Sequence, residues 1–299
     1  MIKSLVSIVI RTWNRADDLS ETLLKLKQLT YQPLEIVVVD NGSNDNTIAV
    51  VSSSFPLVKI VKLDKNFGVE ATNIGIENSQ GEYLIVLDDD AFLMPGAIEV
   101  ALAKFSENER LGILAFKIID FYSGLSPQTK DEKRRKDIVR KEGILLKVFQ
   151  GGGFMMHRKL FDEVGGYPED FFFVGEESDL AFRVLAAGWE IRYFPELIVI
   201  HKPSLKSRSL SRKTYYEIRN IIWLYWRYSP FYLAFIKTFL SIFILGFKAL
   251  KNRSIVYFFK GIGDGLIELP KQFKKHKVVY TQTTWFFLIS FIKSYKLKK

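Results

Sequence analysis

Short runs of β-branched and aliphatic residues alternate with amphipathic stretches over the first 120 residues, and this alternation limits the fold more than any other feature of the chain. Residues 5–10, 34–39, 57–63, 83–87 and 111–119 read as strands, each a brief apolar run of strand-like composition. Between them, Leu19, Leu23, Leu26 and Leu29 share one helical face, with Asp17 or Asp18 expected as the cap. Residues 43–46 form a turn and cap cluster ahead of a short helix, residues 69–79 a third helix, and Pro95 is expected in the first turn of a fourth. Strands that alternate with helices predict a Rossmann-like, mainly parallel α/β sheet with right-handed crossovers. Ligands of such sheets bind outside the carboxyl ends of the strands. Residues 11–15, 40–43, 65–68 and 88–90 are all expected on that edge.

The strand at 83–87 runs directly into Asp88-Asp89-Asp90. Three adjacent carboxylates repel one another unless a cation offsets them. Hard oxygen ligands at Asp88 and Asp90 suit Mg²⁺ or Mn²⁺, ions that also take phosphate oxygens. The first strand–helix loop, Arg11-Thr12-Trp13-Asn14-Arg15, contains no glycine, and no GxxxxGK[ST] loop occurs. Dinucleotide and phosphate-loop fingerprints are therefore absent. A phosphate bound here would need a metal in place of a glycine cradle.

Further along, Gly151-Gly152-Gly153 permits a close approach of backbone or ligand. Gly175-Glu176-Glu177-Ser178-Asp179 opens a helix that runs to about Ala187 and stops at Gly188. Residues 190–200 read as a strand broken by Pro195, and it delivers His201, one of three histidines. Residues 121–143, with the charged run from Lys130 to Lys136, interrupt the pattern and read as an exposed loop near the site.

Taken together, these segments resemble a known family. Residues 6–10 followed by Thr12-Trp13-Asn14-Arg15 are similar to the opening of family 2 glycosyltransferases, which have the GT-A fold. Val38-Val39-Asp40-Asn41-Gly42-Ser43, Asn66-Phe67-Gly68 with Asn73-Ile74-Gly75, Asp88-Asp89-Asp90, and residues 175–180 with Arg183 resemble the family's later motifs, in order. The resemblance covers roughly residues 4–202 and implies sugar transfer from a nucleotide donor with inversion at the anomeric carbon. It implies that Thr12 and Asp40 contact the nucleoside. Asn66, Asn73, Asp88 and Asp89 would serve the nucleotide sugar, with Arg11, at a position where the family commonly has Pro, open to a phosphate or a nearby carboxylate. Asp90 would be the foremost ligand of a divalent metal, Mn²⁺ or Mg²⁺, with Asp88 and His201 beside it. Glu177 would be the general base, where many members have Asp; Asp179 is the alternate and Glu176 the third choice.

Beyond residue 202 the composition turns basic and aromatic, which divides the chain into a GT-A domain (1–202) and a helical extension (203–299). Lys202, Lys206, Arg208, Arg212 and Lys213 precede an apolar stretch at 231–250, and a second apolar stretch spans 278–292. Internal Lys237 and Lys248, with flanking Trp, Tyr and Arg, favour helices lying at an anionic membrane surface over a clean crossing. A lipid-linked or glycan acceptor of the cell-surface polysaccharide kind would suit that location. The chain opens almost at once on a strand-like run without a signal-peptide pattern, so the cytoplasmic face is expected. The net charge of +10 raises nucleic-acid binding as a competing class, but the basic residues are mixed with long apolar stretches and form no compact basic face. A nucleotidyltransferase is the competing enzyme, and its glycine- and lysine-rich first loop is missing. The absence of cysteine excludes disulfides and thiolate metal sites.

Overall fold

The computed structural model describes residues 3–126, 143–204 and 209–275. The charged run at 130–136, Lys206, Arg208 and the apolar stretch at 278–292 lie outside the described residues. The strands are β1 (Val6–Thr12), β2 (Leu34–Asp40), β3 (Lys59–Lys62), β4 (Tyr83–Asp88), β5 (Ala91–Leu93), β6 (Leu111–Asp120), β7 (Ile144–Leu146), β8 (Gly153–His157) and β9 (Glu190–His201). The helices are α1 (Ala16–Leu26), α2 (Thr47–Ser54), α3 (Glu70–Glu77), α4 (Ala97–Glu107), α5 (Arg158–Val164), α6 (Glu176–Ala186), α7 (Leu210–Tyr228), α8 (Phe231–Lys251), α9 (Ile255–Ile267) and α10 (Leu269–Lys275).

One sheet has the order β3-β2-β1-β4-β8-β6-β9-β5, with β7 also on β9. Pairs β3-β2, β2-β1, β1-β4 and β6-β9 are parallel, whereas β8 runs antiparallel to both β4 and β6. The sheet is thus mixed. Strand side chains alternate between its faces, as a period of two requires. Ile8, Ile10, Ile85, Leu87 and Met155 join one core cluster with Leu19 and Leu23 of α1. Val9, Leu84, Val86, Phe154 and Met156 join the other with Leu180 and Val184 of α6. Both faces are covered, which explains why these strands read as unbroken apolar runs.

Helices α7–α9 belong to that second cluster through Ile218, Ile222, Trp223, Leu245 and Phe258. Residues set apart in the sequence by composition therefore share a core with the sheet. Gly261 and Gly265 let α9 approach α7 closely; a Cβ at Gly261 would lie 2.6 Å from the Tyr215 carbonyl oxygen.

Some local expectations are corrected. Asp17 and Asp18 lie inside the first turn of α1, where the helix dipole favours acids, and Arg15 takes the cap position. Pro95 precedes the α4 cap, which Gly96 forms at φ 79°. Strands β5 and β7 were not anticipated, because three residues are too few to show a period. The break expected at Pro195 is real: the β6–β9 register jumps from Phe116↔Phe194 to Lys117↔Ile198. A proline cannot donate to a ladder, so the strand bulges there and then resumes pairing.

Candidate active site at the carboxyl edge of the sheet

The parallel strands β2, β1 and β4 end side by side, with Thr12 opposite Asp40 and Arg11 opposite Asp88. A cleft of about 480 Å³ opens over these ends, lined among others by Thr12, Asn66, Asp88, Phe172, Arg212 and Lys213. Asp40 is fully buried. One of its oxygens accepts from the Ser43 N–H at 3.3 Å, and its Oδ1 has no protein partner among the described residues. Buried acceptors are rarely left unpaired, so this atom suits a ligand N–H.

The triple-aspartate turn sends its carboxylates to two places. Asp88 and Asp90 meet His201, with one ligand atom from each lying within 4.8 Å of the others. Imidazole Nε2 of His201 stands 3.1 Å from Asp90 Oδ1. Strand β5 creates this meeting, because Ala91 pairs with His201 and the Lys202 N–H donates to the Asp90 carbonyl at 2.8 Å. Two carboxylates and an imidazole fit a hard or borderline divalent ion. Asp89 turns the other way and is buried. It accepts from the Thr12 hydroxyl at 2.9 Å and from Arg15. Burial pushes its carboxyl up to about 6 against the pull of Arg15, with Asp90 and Asp88 adding to the rise. Asp89 also lines the cleft, beside the place expected of it for the nucleotide sugar. Arg15, which also reaches Asp90 Oδ2 at 2.9 Å, is the residue that holds the turn together. No sequence pattern assigned it that task.

Asn66 stays at the cleft. Its oxygen accepts from the Gly68 N–H and from Asn41, so any ligand contact falls to its amide nitrogen. Asn73, expected at the nucleotide sugar, does not line the cleft. Both ends of its amide pair with Tyr167, donating to the carbonyl at 2.8 Å and accepting from the N–H at 2.7 Å. This two-bond clasp pins Tyr167 to α3.

A smaller cavity of about 80 Å³ lies next to the cleft and shares Arg11 and Asp88 with it. Glu177, Glu176, Tyr167, Gly151 and Gly152 complete it. A Cβ on Gly151 would overlap the Glu177 carboxylate, and one on Gly152 would come within 3.5 Å of Asp88 Oδ2. The glycine run is thus the floor between the two acids. Burial, and then the charge of Glu176, hold the Glu177 carboxyl well above the ordinary glutamate range. Such a shift suits a group that must take a proton near neutral pH. Tyr167 is raised in turn, by burial first and by these glutamates next.

Asp179, the alternate base, is fully buried and fully committed. It accepts from Arg183 Nε at 2.9 Å, from Arg227 Nη1 at 2.9 Å and from the Tyr228 hydroxyl at 2.8 Å. It lines neither the cleft nor the smaller cavity, and its bonds to Arg227 and Tyr228 tie α6 to α7. The loop before α6 is strained, since Val174 has φ 70°. A β-branched residue in the left-handed region is a genuine outlier. Asn220 of α7 holds it by donating to the carbonyls of Phe173 at 2.9 Å and Val174 at 2.6 Å.

The chain is also similar to known proteins. The family model "Glycosyl transferase family 2" matches residues 7–165, and "N-terminal domain of galactosyltransferase" matches residues 145–204. One relative is the GalNAc(5)-diNAcBac-PP-undecaprenol beta-1,3-glucosyltransferase of Campylobacter jejuni, 27% identical over 203 residues, or 66% of this chain and 62% of that one. Another is the N-acetylglucosaminyl-diphospho-decaprenol L-rhamnosyltransferase of Mycobacterium tuberculosis, 24% identical over 65% of this chain and 75% of its own length. Among solved structures, GalNAc-T7 with UDP, GalNAc and Mn2+ superimposes with a TM-score of 0.62 at 20% identity, over 75% of this chain and 48% of that one. The family model covers more than half of these 299 residues, and the sheet is that of the GT-A neighbours, so the chain belongs to glycosyl transferase family 2.

Proposed function

We propose that the protein is an inverting, metal-dependent glycosyltransferase that moves a sugar, a hexose or deoxyhexose, from a nucleoside diphosphate to a hydroxyl of a lipid-linked or other cell-surface glycan. One observation carries the reading: the Asp88, Asp90 and His201 group and the Glu177 carboxylate flank a single glycine floor, with Asp88 lining both cavities. The cleft on the Asp40 side takes the nucleoside, whose base N–H would complete Asp40. Asp88, Asp90 and His201 would hold a divalent ion, which offsets the charge of the departing diphosphate when bound. Glu177 takes the proton of the acceptor hydroxyl. The hydroxyl oxygen bonds to the anomeric carbon as that carbon's bond to the diphosphate oxygen breaks, and configuration inverts. Relatives whose names include undecaprenol and decaprenol support a lipid-linked acceptor, and a large exposed apolar face on α8 supports a peripheral or monotopic place at the cytoplasmic membrane surface.

The primary test is a panel of nucleotide sugars incubated with purified protein and Mn²⁺ or Mg²⁺. Slow release of nucleoside diphosphate from one of them is expected; neither binding nor turnover with any would reject the reading. Asp90→Asn should weaken metal-dependent donor binding by about 100-fold, at least what loss of a ligand's supporting partner costs. Calorimetric titration of donor with and without the ion measures this, and equal affinity in the variant would remove Asp90 from the metal site. Gly151→Ala should displace the Glu177 carboxylate and lower kcat by about 10–100-fold while KM for the donor stays constant. An unchanged kcat would show that the floor does not set the position of Glu177.

A further inference from the structure

Helix α8 is built inside out. Phe231, Phe235, Phe239, Phe243 and Phe247 recur at every fourth residue and are 60–70% exposed. Tyr232, Ile236, Leu240 and Leu250 widen the same exposed surface. Lys237, Thr238 and Ser241 face inward instead, while Lys248 is exposed and pairs with Glu217 of α7. Lys237 donates to the Ser229 hydroxyl at 2.9 Å, Thr238 accepts from the Trp226 indole at 3.1 Å, and Ser241 lies 3.2 Å from the Tyr225 hydroxyl. A water-facing helix shows the opposite pattern. Helix α9 adds exposed Val256, Tyr257, Phe259, Leu266 and Ile267, and Gly246 of α8 faces its Phe258 ring.

Two further features select the occupant of this face. Lys251, Arg253 and Lys260 are exposed at the end of α8, in the turn that follows and on α9. A second copy of the chain, paired about a two-fold axis, would set such a basic rim against its like. An anionic lipid surface complements it. The inward face of α8 is docked from Leu233 to Ala249. Crossing a bilayer would require stripping Lys237, Thr238 and Ser241 from their partners on α7 and at its C-cap into hydrocarbon. A helix about 30 Å long, docked on one side and apolar on the other, lies along a surface.

We propose that α8 and α9 lie in the plane of a single leaflet, with the phenylalanine stripe among acyl chains and Lys251, Arg253 and Lys260 on anionic headgroups. The claim deepens the membrane location proposed above and rests on it, but its test does not depend on catalysis. The chain has no cysteine, so single cysteines at Phe235, Phe239, Phe243 and Phe247 can each carry a polarity-sensitive fluorophore, with Leu57→Cys as a remote control. Mixed phosphatidylcholine and phosphatidylglycerol vesicles would carry nitroxides at shallow or deep acyl positions. All four α8 probes should shift to the blue and be quenched equally by the shallow nitroxide, with Leu57→Cys unchanged. Deepest quenching at the helix centre would mean a spanning helix and overturn the proposal. So would no response to vesicles, a lipid-free and concentration-dependent shift that reports a second copy, or a response only after removal of residues 276–299. Phe239→Asp with Phe243→Asp should lower vesicle partitioning at least tenfold and leave the melting temperature and donor hydrolysis unchanged. A full loss of partitioning with intact hydrolysis keeps the two proposals separable, as does lipid insertion by a protein that hydrolyses no donor.

Discussion

Glu177→Gln is expected to bind nucleotide sugar as the parent does and to transfer it about 10²–10⁴-fold more slowly, the usual worth of a positioned general base. Glutamine has the same shape, so it can occupy the space over Gly151 without disturbing α6. It removes the ability to take a proton from the acceptor and nothing else. Single-turnover transfer, measured beside donor affinity, reads the two effects apart. A variant that transfers at the parental rate would place the base elsewhere. The pH dependence gives an independent check. The base works only when ionised, and burial together with Glu176 raises its pKa. Activity should therefore climb with pH along an acidic limb that lies above the ordinary glutamate value of about 4.3. Removing the neighbouring charge with Glu176→Gln should move that limb to lower pH, and a limb that stays in place would deny the coupling.

Arg227→Met is expected to cost about 3–5 kcal/mol of stability, because it leaves buried carboxylates without their cation. Arg227 is 2% exposed and donates to Asp179 at 2.9 Å, to Asp170 at 2.6 Å and to Gln272. Its guanidinium also lies over the Phe171 ring at 4.8 Å. Methionine fills much of the volume but supplies none of the donors. Asp179→Asn in the same chain should recover part of the loss, since one stranded charge is then neutral. Denaturant unfolding of the single and double variants measures both. A single-variant loss below about 1 kcal/mol would mean that water or Arg183 replaces the missing donors.

The carboxyl edge was legible because each motif ends a strand. Thr12, Asp40 and Asp88 follow apolar runs, and parallel pairing aligns those ends with little freedom. The assignments within the edge were less legible. Asp88, Asp89 and Asp90 are chemically identical in sequence, yet Thr12 and Arg15 hold the middle one while the first and last meet His201. Asn73 and Asp179 carry the right chemistry for a site, but Tyr167 and Arg227 occupy them. Those partners are distant in the chain and follow no motif. The inward placement of Lys237 on α8 was hidden for a related reason, since its partner Ser229 lies in the turn before the helix and follows no motif.

By itself the sequence determined the alternating architecture, the edge on which chemistry occurs and the segment that supplies a carboxylate opposite the aspartates. It could do so because strand and helix periods, turn residues and short motifs are local properties. Only the tertiary structure decided which carboxylates stay open to a ligand and which are neutralised inside. That choice depends on where β5 meets β9 and where α7 lies on α6, and such contacts join residues more than 40 positions apart.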